Sequence, residues 1–229
     1  MPRASLDRKI HNLLNEILIL DSMVEDAIIK SVEALKNHDF NLAKSTYQFD
    51  QQINARRFEL ENDVIIAIAT EQPIMAGDLR LMASILEVVG ELERIGDYAK
   101  GIAKICLLIG DQPHVKPLID IPMMCQLTVD MLHRAVGAFV HVDVEQAKHI
   151  PGEDDQVDAL YNQVYRELVD IMIKDPSTID QSNHLMWAAH NLERMADRVT
   201  NICERAMYVA TGKLAEIENH PDDLLITKS

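Results

Sequence analysis

A chain of 229 residues with 22 Lys and Arg against 37 Asp and Glu carries a formal charge of −15, and with Arg56-Arg57 the nearest approach to a basic cluster it argues against nucleic acid and anionic headgroups as partners. Hydrophobic residues reach 48% while aromatic ones are only 4%, and eight glycines are too few for a loop-rich β fold, so the core is read as helix faces of Leu, Ile, Val, Ala and Met. Three scattered cysteines, Cys106, Cys125 and Cys203, suggest neither a disulfide framework nor a zinc knuckle but buried small hydrophobes.

The N-terminal residues lead directly into an amphipathic segment without the apolar stretch of a secretory signal, and no run approaches the ~20 apolar residues that span a bilayer. The chain is therefore expected in the cytoplasm. The first helix is predicted from about Leu6 to Lys36, where Leu6, Ile10, Leu13, Ile17, Leu20, Val24, Ile28, Val32 and Leu35 recur at steps of three and four. Asn37-His38-Asp39 breaks it, a second helix covers Asp39–Thr70, Gln72-Pro73 and Gly77 mark the next turn, and a third covers Met75–Ile109. Three long helices on short turns make an antiparallel bundle.

The stretch from Gly110 to Pro122, with Pro113 and Pro117, reads as a linker. Beyond it the chain repeats itself. Asp39-Phe40-Asn41-Leu42-Ala43-Lys44 matches Asp143-Val144-Glu145-Gln146-Ala147-Lys148, and Leu92-Glu93-Arg94-Ile95-Gly96-Asp97 matches Leu192-Glu193-Arg194-Met195-Ala196-Asp197. The offset falls from 104 to 100 between these pairs, which fits a shorter turn in the second half. The expected architecture is all-α, two tandem three-helix bundles of six long helices, with the first bundle over 1–112, the linker over 113–122, the second bundle over 123–212 and a tail over 213–229.

In both third helices a Glu and an Asp lie four apart, Glu93/Asp97 and Glu193/Asp197, so the carboxylates share a face. The second helices offer Asp50/Asn54 and Asp154/Asp158, which an antiparallel neighbour can bring opposite to form a four-oxygen cation site. Hard oxygens suit Mg, Ca, Mn or iron. The alternative is a solvated face with Arg94 or Arg194 as counter-ion. His190, three residues before Glu193, is either a nitrogen ligand of the second set or a structural histidine. Gly90, Gly96 and Gly101 inside the third helix imply close approach of another helix or of a ligand. The methionines, Met123, Met124, Met131, Met172, Met186 and Met195 among them, are read as core filler, with a partner groove as the alternative. Nucleotide-binding, hydrolase and metalloprotease motifs are missing, so no enzyme is expected.

The strings Thr70-Glu71-Gln72-Pro73-Ile74-Met75-Ala76-Gly77-Asp78-Leu79-Arg80, Glu91-Leu92-Glu93-Arg94-Ile95-Gly96-Asp97-Tyr98-Ala99 and Asn191-Leu192-Glu193-Arg194-Met195-Ala196-Asp197 resemble the PhoU family of phosphate-transport regulators, from about Leu6 to Gly212. The resemblance implies metal clusters, iron or zinc with magnesium or manganese as alternatives, on Glu93, Asp97, Glu193 and Asp197, with Asp50, Asn54, Asp154 and Asp158 as second-helix partners. It also implies a homodimeric negative regulator of the phosphate-starvation response, peripheral to the membrane, that links the phosphate ABC transporter ATPase to a sensor histidine kinase. Two departures stand out. Pro151-Gly152 interrupts the fifth helix just before Asp154, which makes Asp154 either a helix cap or a ligand. Met195-Ala196 in place of Ile-Gly is expected to crowd the second site. The competing functions are a carboxylate-bridged di-metal oxidase, which needs a Glu-x-x-His pair the chain lacks, and a plain helical scaffold.

Overall fold

A computed structural model describes residues 2–214 of the chain; the tail expected over 213–229 therefore lies, from residue 215 onward, outside the described residues. The described residues form helices and no strand. The first half comprises α1 (Pro2–Asn37), α2 (Phe40–Thr70) and α3 (Ala76–Ile109), and the second comprises α4 (Asp120–His141), a short α5 (Val144–His149), α6 (Asp154–Lys174) and α7 (Ile179–Thr211). Within the first half α1, α2 and α3 pack on one another, and α4, α6 and α7 do the same in the second. The fold is thus two tandem three-helix bundles, joined chiefly by α3 against α7 and by α1 against α4.

The apolar stripes of the sequence form the core. Ile17, Leu20, Val24 and Ile28 of α1 meet Ile53, Leu60 and Val64 of α2 and Ile85, Val88, Leu92 and Ile95 of α3, all buried. Cys106, Cys125 and Cys203 are buried and unpaired. Met82, Met124, Met131 and Met195 are buried as core filler, whereas Met123 projects outward, 50% exposed.

The repeat extends to the turns. His38 and Val142, 104 residues apart, both take positive φ, 53° and 55°. Each is followed by an aspartate, Asp39 or Asp143, whose carboxylate accepts hydrogen bonds from backbone N–H groups of the next helix, the usual N-cap arrangement. The offset change also has its structural cause. Five residues, Glu71 to Met75, separate α2 from α3, while Asp175 alone separates α6 from the 3-10 turn Pro176–Thr178 that opens α7.

Two details differ from the expected boundaries. Helix α4 begins at Asp120, so Pro122 lies in its first turn, where backbone N–H groups have no intrahelical acceptor and a proline loses nothing. At Pro151-Gly152 the chain does not break but tightens into a 3-10 turn, Ile150–Glu153, that runs straight into α6. Ile150 and Pro151 are buried, and Arg134 on α4 donates to Glu153 at 2.8 Å, which fixes the turn.

Candidate metal centre

The first acidic set comes together, but with its own cations inside it. Asp50 is buried, 4% exposed, and its Oδ2 accepts from Lys100 Nζ at 2.7 Å and from the Asn54 amide at 3.1 Å. The same ammonium reaches Asp97 Oδ1 at 3.5 Å. Arg57, one turn beyond Asn54, pairs with Glu93 at 3.0 Å and with Glu61 at 2.8 Å. Burial raises the Glu93 carboxyl above its ordinary value while the Arg57 charge pulls it back, and the bond to Asp50 raises Lys100. Three carboxylates and an amide thus enclose two protein cations.

The second set is built on the same helix positions without those cations. Counted along the repeat, Lys100 corresponds to Thr200 and Arg57 to Tyr161. Asp158, Asp197 and Glu193 act electrostatically on Asp154, although among the described residues no three donor atoms of this set lie within 4.8 Å of one another, and Arg194 pairs with Asp197 at 2.7 Å. Asp154 Oδ1 and Glu193 Oε2 are buried oxygens without a hydrogen-bond partner. His190 Nδ1 lies 3.1 Å from Glu193 Oε2, but not in hydrogen-bonding geometry. Burial, reinforced by the charges of Asp158, Asp197 and Glu193, pushes Asp154 up to about 7. Burial, then Asp197 and Asp158, pushes Glu193 up to about 7.

The chemistry of such a set suits a cation, which would have to draw the carboxylates closer. Buried anionic oxygens without donors are costly unless a proton or an ion meets them, and four carboxylates supply the hard donors that Mg, Mn or iron take. His190 stands beside Glu193. Its ring lies edge-on to Trp187 at 5.7 Å and tilted to Tyr161 at 5.9 Å.

Several expectations change in detail. Asp154 opens α6 without capping it, since neither it nor the N-cap Glu153 provides a side-chain cap bond, and its carboxylate joins the cluster. Arg94 pairs with Glu91 at 2.8 Å and is not the counter-ion of the first set; Lys100 and Arg57 are. Sequence reasoning missed both. The signal was available, because Lys100 is three residues after Asp97 and Arg57 seven after Asp50, spacings that stay on one helix face. Gly96 does mark a close approach, with a Cβ there 3.3 Å from the Ile53 side chain, and Gly101 faces Asn191 of α7, whereas Gly90 has open space. At the positions equivalent to Gly96 and Ile53 the second repeat has Ala196 and the smaller Val157, both fully buried.

The comparisons with known proteins agree with this doubled architecture. A model of the PhoU domain matches residues 17–106 and again 121–206. The phosphate-specific transport system accessory protein PhoU homolog of Clostridium acetobutylicum is 34% identical over 219 residues, covering 96% of this chain and 100% of that protein. The phosphate-specific transport system accessory protein PhoU of Escherichia coli K12 is 32% identical over 205 residues, covering 90% and 85%. The crystal structure of the phosphate transport system regulatory protein PhoU from Streptococcus pneumoniae aligns with a TM-score of 0.85 at 29% identity, over 92% of this chain and 99% of that one. With the domain matched twice and relatives aligned along nearly the whole length, the chain belongs to the PhoU family.

Proposed function

We propose that the chain is a metal-binding regulator of phosphate uptake that holds down the phosphate-starvation two-component response, coupling the phosphate ABC transporter ATPase to the sensor histidine kinase. Its relatives are named as accessory proteins of the phosphate-specific transport system, and this supports the transport role. The observation that carries the metal is the pair of buried oxygens, Asp154 Oδ1 and Glu193 Oε2, that have no hydrogen-bond partner amid four carboxylates. Asp154, Asp158, Glu193 and Asp197 would hold the ion, with His190 beside them. The ion would cancel the repulsion among these acids and lock α6 onto α7, stiffening one half of the molecule. Magnesium, manganese and iron suit the oxygens; an imidazole donor also admits zinc. In this reading the protein acts as a cytoplasmic homodimer at the inner face of the membrane, and among the described residues no helix is long and apolar enough to cross one.

The first set, with Asp50, Asn54, Glu93 and Asp97 closed around Lys100 and Arg57, takes the scaffold role. The test is genetic and chemical together. A strain lacking the gene is expected to transcribe phosphate-starvation genes in rich phosphate, the wild-type gene to silence them, and Glu193→Gln with Asp197→Asn to leave them on. Genes that stay silent in the deletion strain would overturn the regulator. A double variant that silences like wild type would separate regulation from the second cluster.

A further inference from the structure

α1 and α4 run side by side where the two halves meet, and a third polar cluster lies between them. Asp21 and Glu25 stand one turn apart on α1, and His133 comes from α4. His133 Nδ1 is 3.0 Å from Glu25 Oε1, and one ligand-capable atom from each of the three residues lies within 4.8 Å of the other two. Asp21 is 4% exposed, yet its Oδ1 has no hydrogen-bond partner. Among the described residues no Lys or Arg is paired with either carboxylate, and the only basic group seen there is the exposed His133 ring.

A buried carboxylate in this position must be protonated or meet a cation. Burial, with the facing Glu25 carboxyl, pushes Asp21 up to about 8, so this place favours a proton or another positive guest. The cluster is not a copy of the acidic sets described above. At the 104-residue offset, Asp21 and Glu25 correspond to Cys125 and Val129, and His133 corresponds to Ile29. It therefore arises only where α1 of one half meets α4 of the other.

We propose that Asp21, Glu25 and His133 form a separate metal site between the halves, which takes a first-row divalent transition metal such as zinc. Two carboxylate oxygens and one imidazole nitrogen are a common donor set for such ions. The exposed histidine gives the ion an entry path and the buried aspartate gives it the missing counter-charge. Because α1 and α4 each supply a ligand, occupancy would tie the two bundles together. The proposal is independent of the reading of the second acidic cluster, and its test is run with that cluster disabled.

The full chain carrying Glu193→Gln and Asp197→Asn is titrated with zinc in a calorimeter, and with cobalt while its visible absorption is followed. One equivalent is expected to bind, with cobalt bands that reveal a nitrogen donor. His133→Ala, at an exposed position that should fold normally, is expected to weaken binding at least about tenfold, and Asp21→Asn to do the same. Zinc should also raise the melting temperature of the parent and not of His133→Ala. Undiminished affinity in His133→Ala would overturn the proposal, as would a folded Asp21→Asn that binds zinc as the parent does, since the ion would then sit on surface groups alone.

Discussion

In the first half Lys100 and Arg57 reach into the acidic set, leaving one buried carboxylate oxygen, Asp50 Oδ1, without a hydrogen-bond partner; in the second half the same two repeat positions hold Thr200 and Tyr161, Arg194 pairs with Asp197, and two such oxygens, Asp154 Oδ1 and Glu193 Oε2, are left. Helix positions are shared, but the donors differ as well as the counter-charges: Asn54 stands where the second half has Asp158, and Gly90 where it has His190. One cluster is closed by long basic side chains that reach across to the facing helix, Lys100 to Asp50 and Arg57 to Glu93. The other has Thr200 and Tyr161 at those positions, and under the proposed function it takes an ion there.

The largest effect is expected from removing the second cluster. Glu193→Gln with Asp197→Asn should lower manganese or iron affinity by more than the roughly 10–100-fold typical of losing a supporting residue, while Glu93→Gln with Asp97→Asn should leave it within about twofold. Trp187, the single tryptophan of the chain, lies against His190, so its fluorescence reads binding at the second cluster directly. Equal losses from both pairs would mean that the halves do not differ as described.

Exchanging the counter-charges comes next. Lys100→Thr with Arg57→Tyr should strip the first set of its counter-charges, as in the second, with Asn54 still in place of Asp158. Without metal it should destabilise the fold by about 3 kcal/mol, because Asp50 is left buried and charged; this is the low end of the range for such losses, since Lys100 is about a third exposed. Added manganese should recover most of that loss, and metal analysis should show an additional equivalent. Thr200→Lys with Tyr161→Arg should do the reverse in the second half.

A smaller effect concerns packing behind the clusters. Gly96→Ala gains about 1 kcal/mol of helix propensity but presses on Ile53, so alone it should be near neutral. Combined with Ile53→Val, the pair found one repeat on, it should show a favourable coupling of about 1 kcal/mol in a denaturant-unfolding double-mutant cycle. Zero coupling would mean that the two pairs are not matched.

The smallest effects distinguish the two left-handed turns. Val142 holds positive φ with a β-branched side chain that is 39% exposed, so Val142→Asn should stabilise by up to about 1 kcal/mol. The matching His38 stacks on His114 at 4.0 Å and meets the Gly110 carbonyl at 3.0 Å. Burial lowers His114 below its ordinary 6.5. The unfolded chain therefore binds this proton more readily than the folded one, and the contribution is present above about pH 6.5 and lost as pH falls below it. Thermal melts from pH 7 to 5 should show this slope in wild type and a shallower one in His114→Gln.

The sequence by itself determined the helices, the repeat and the acid spacing. Heptad-like steps of Leu, Ile and Val fix which face is buried, and residues four apart on a helix share a side whatever packs against them, so Glu93/Asp97 and Glu193/Asp197 were legible as paired carboxylates. Pro151-Gly152 was legible as a disturbance, but whether it ended the helix depended on partners: Arg134 comes from α4, and its bond to Glu153 holds the turn as a 3-10 segment that leaves Asp154 facing the cluster. Spacing puts Lys100 and Arg57 on the acidic faces, but tertiary structure decided which acids they meet, since Lys100 bonds Asp50 across two helices, and it alone brought Asp21, Glu25 and His133 together from residues more than a hundred positions apart. Periodicity acts within one helix, whereas charge compensation depends on what the neighbouring helix puts opposite.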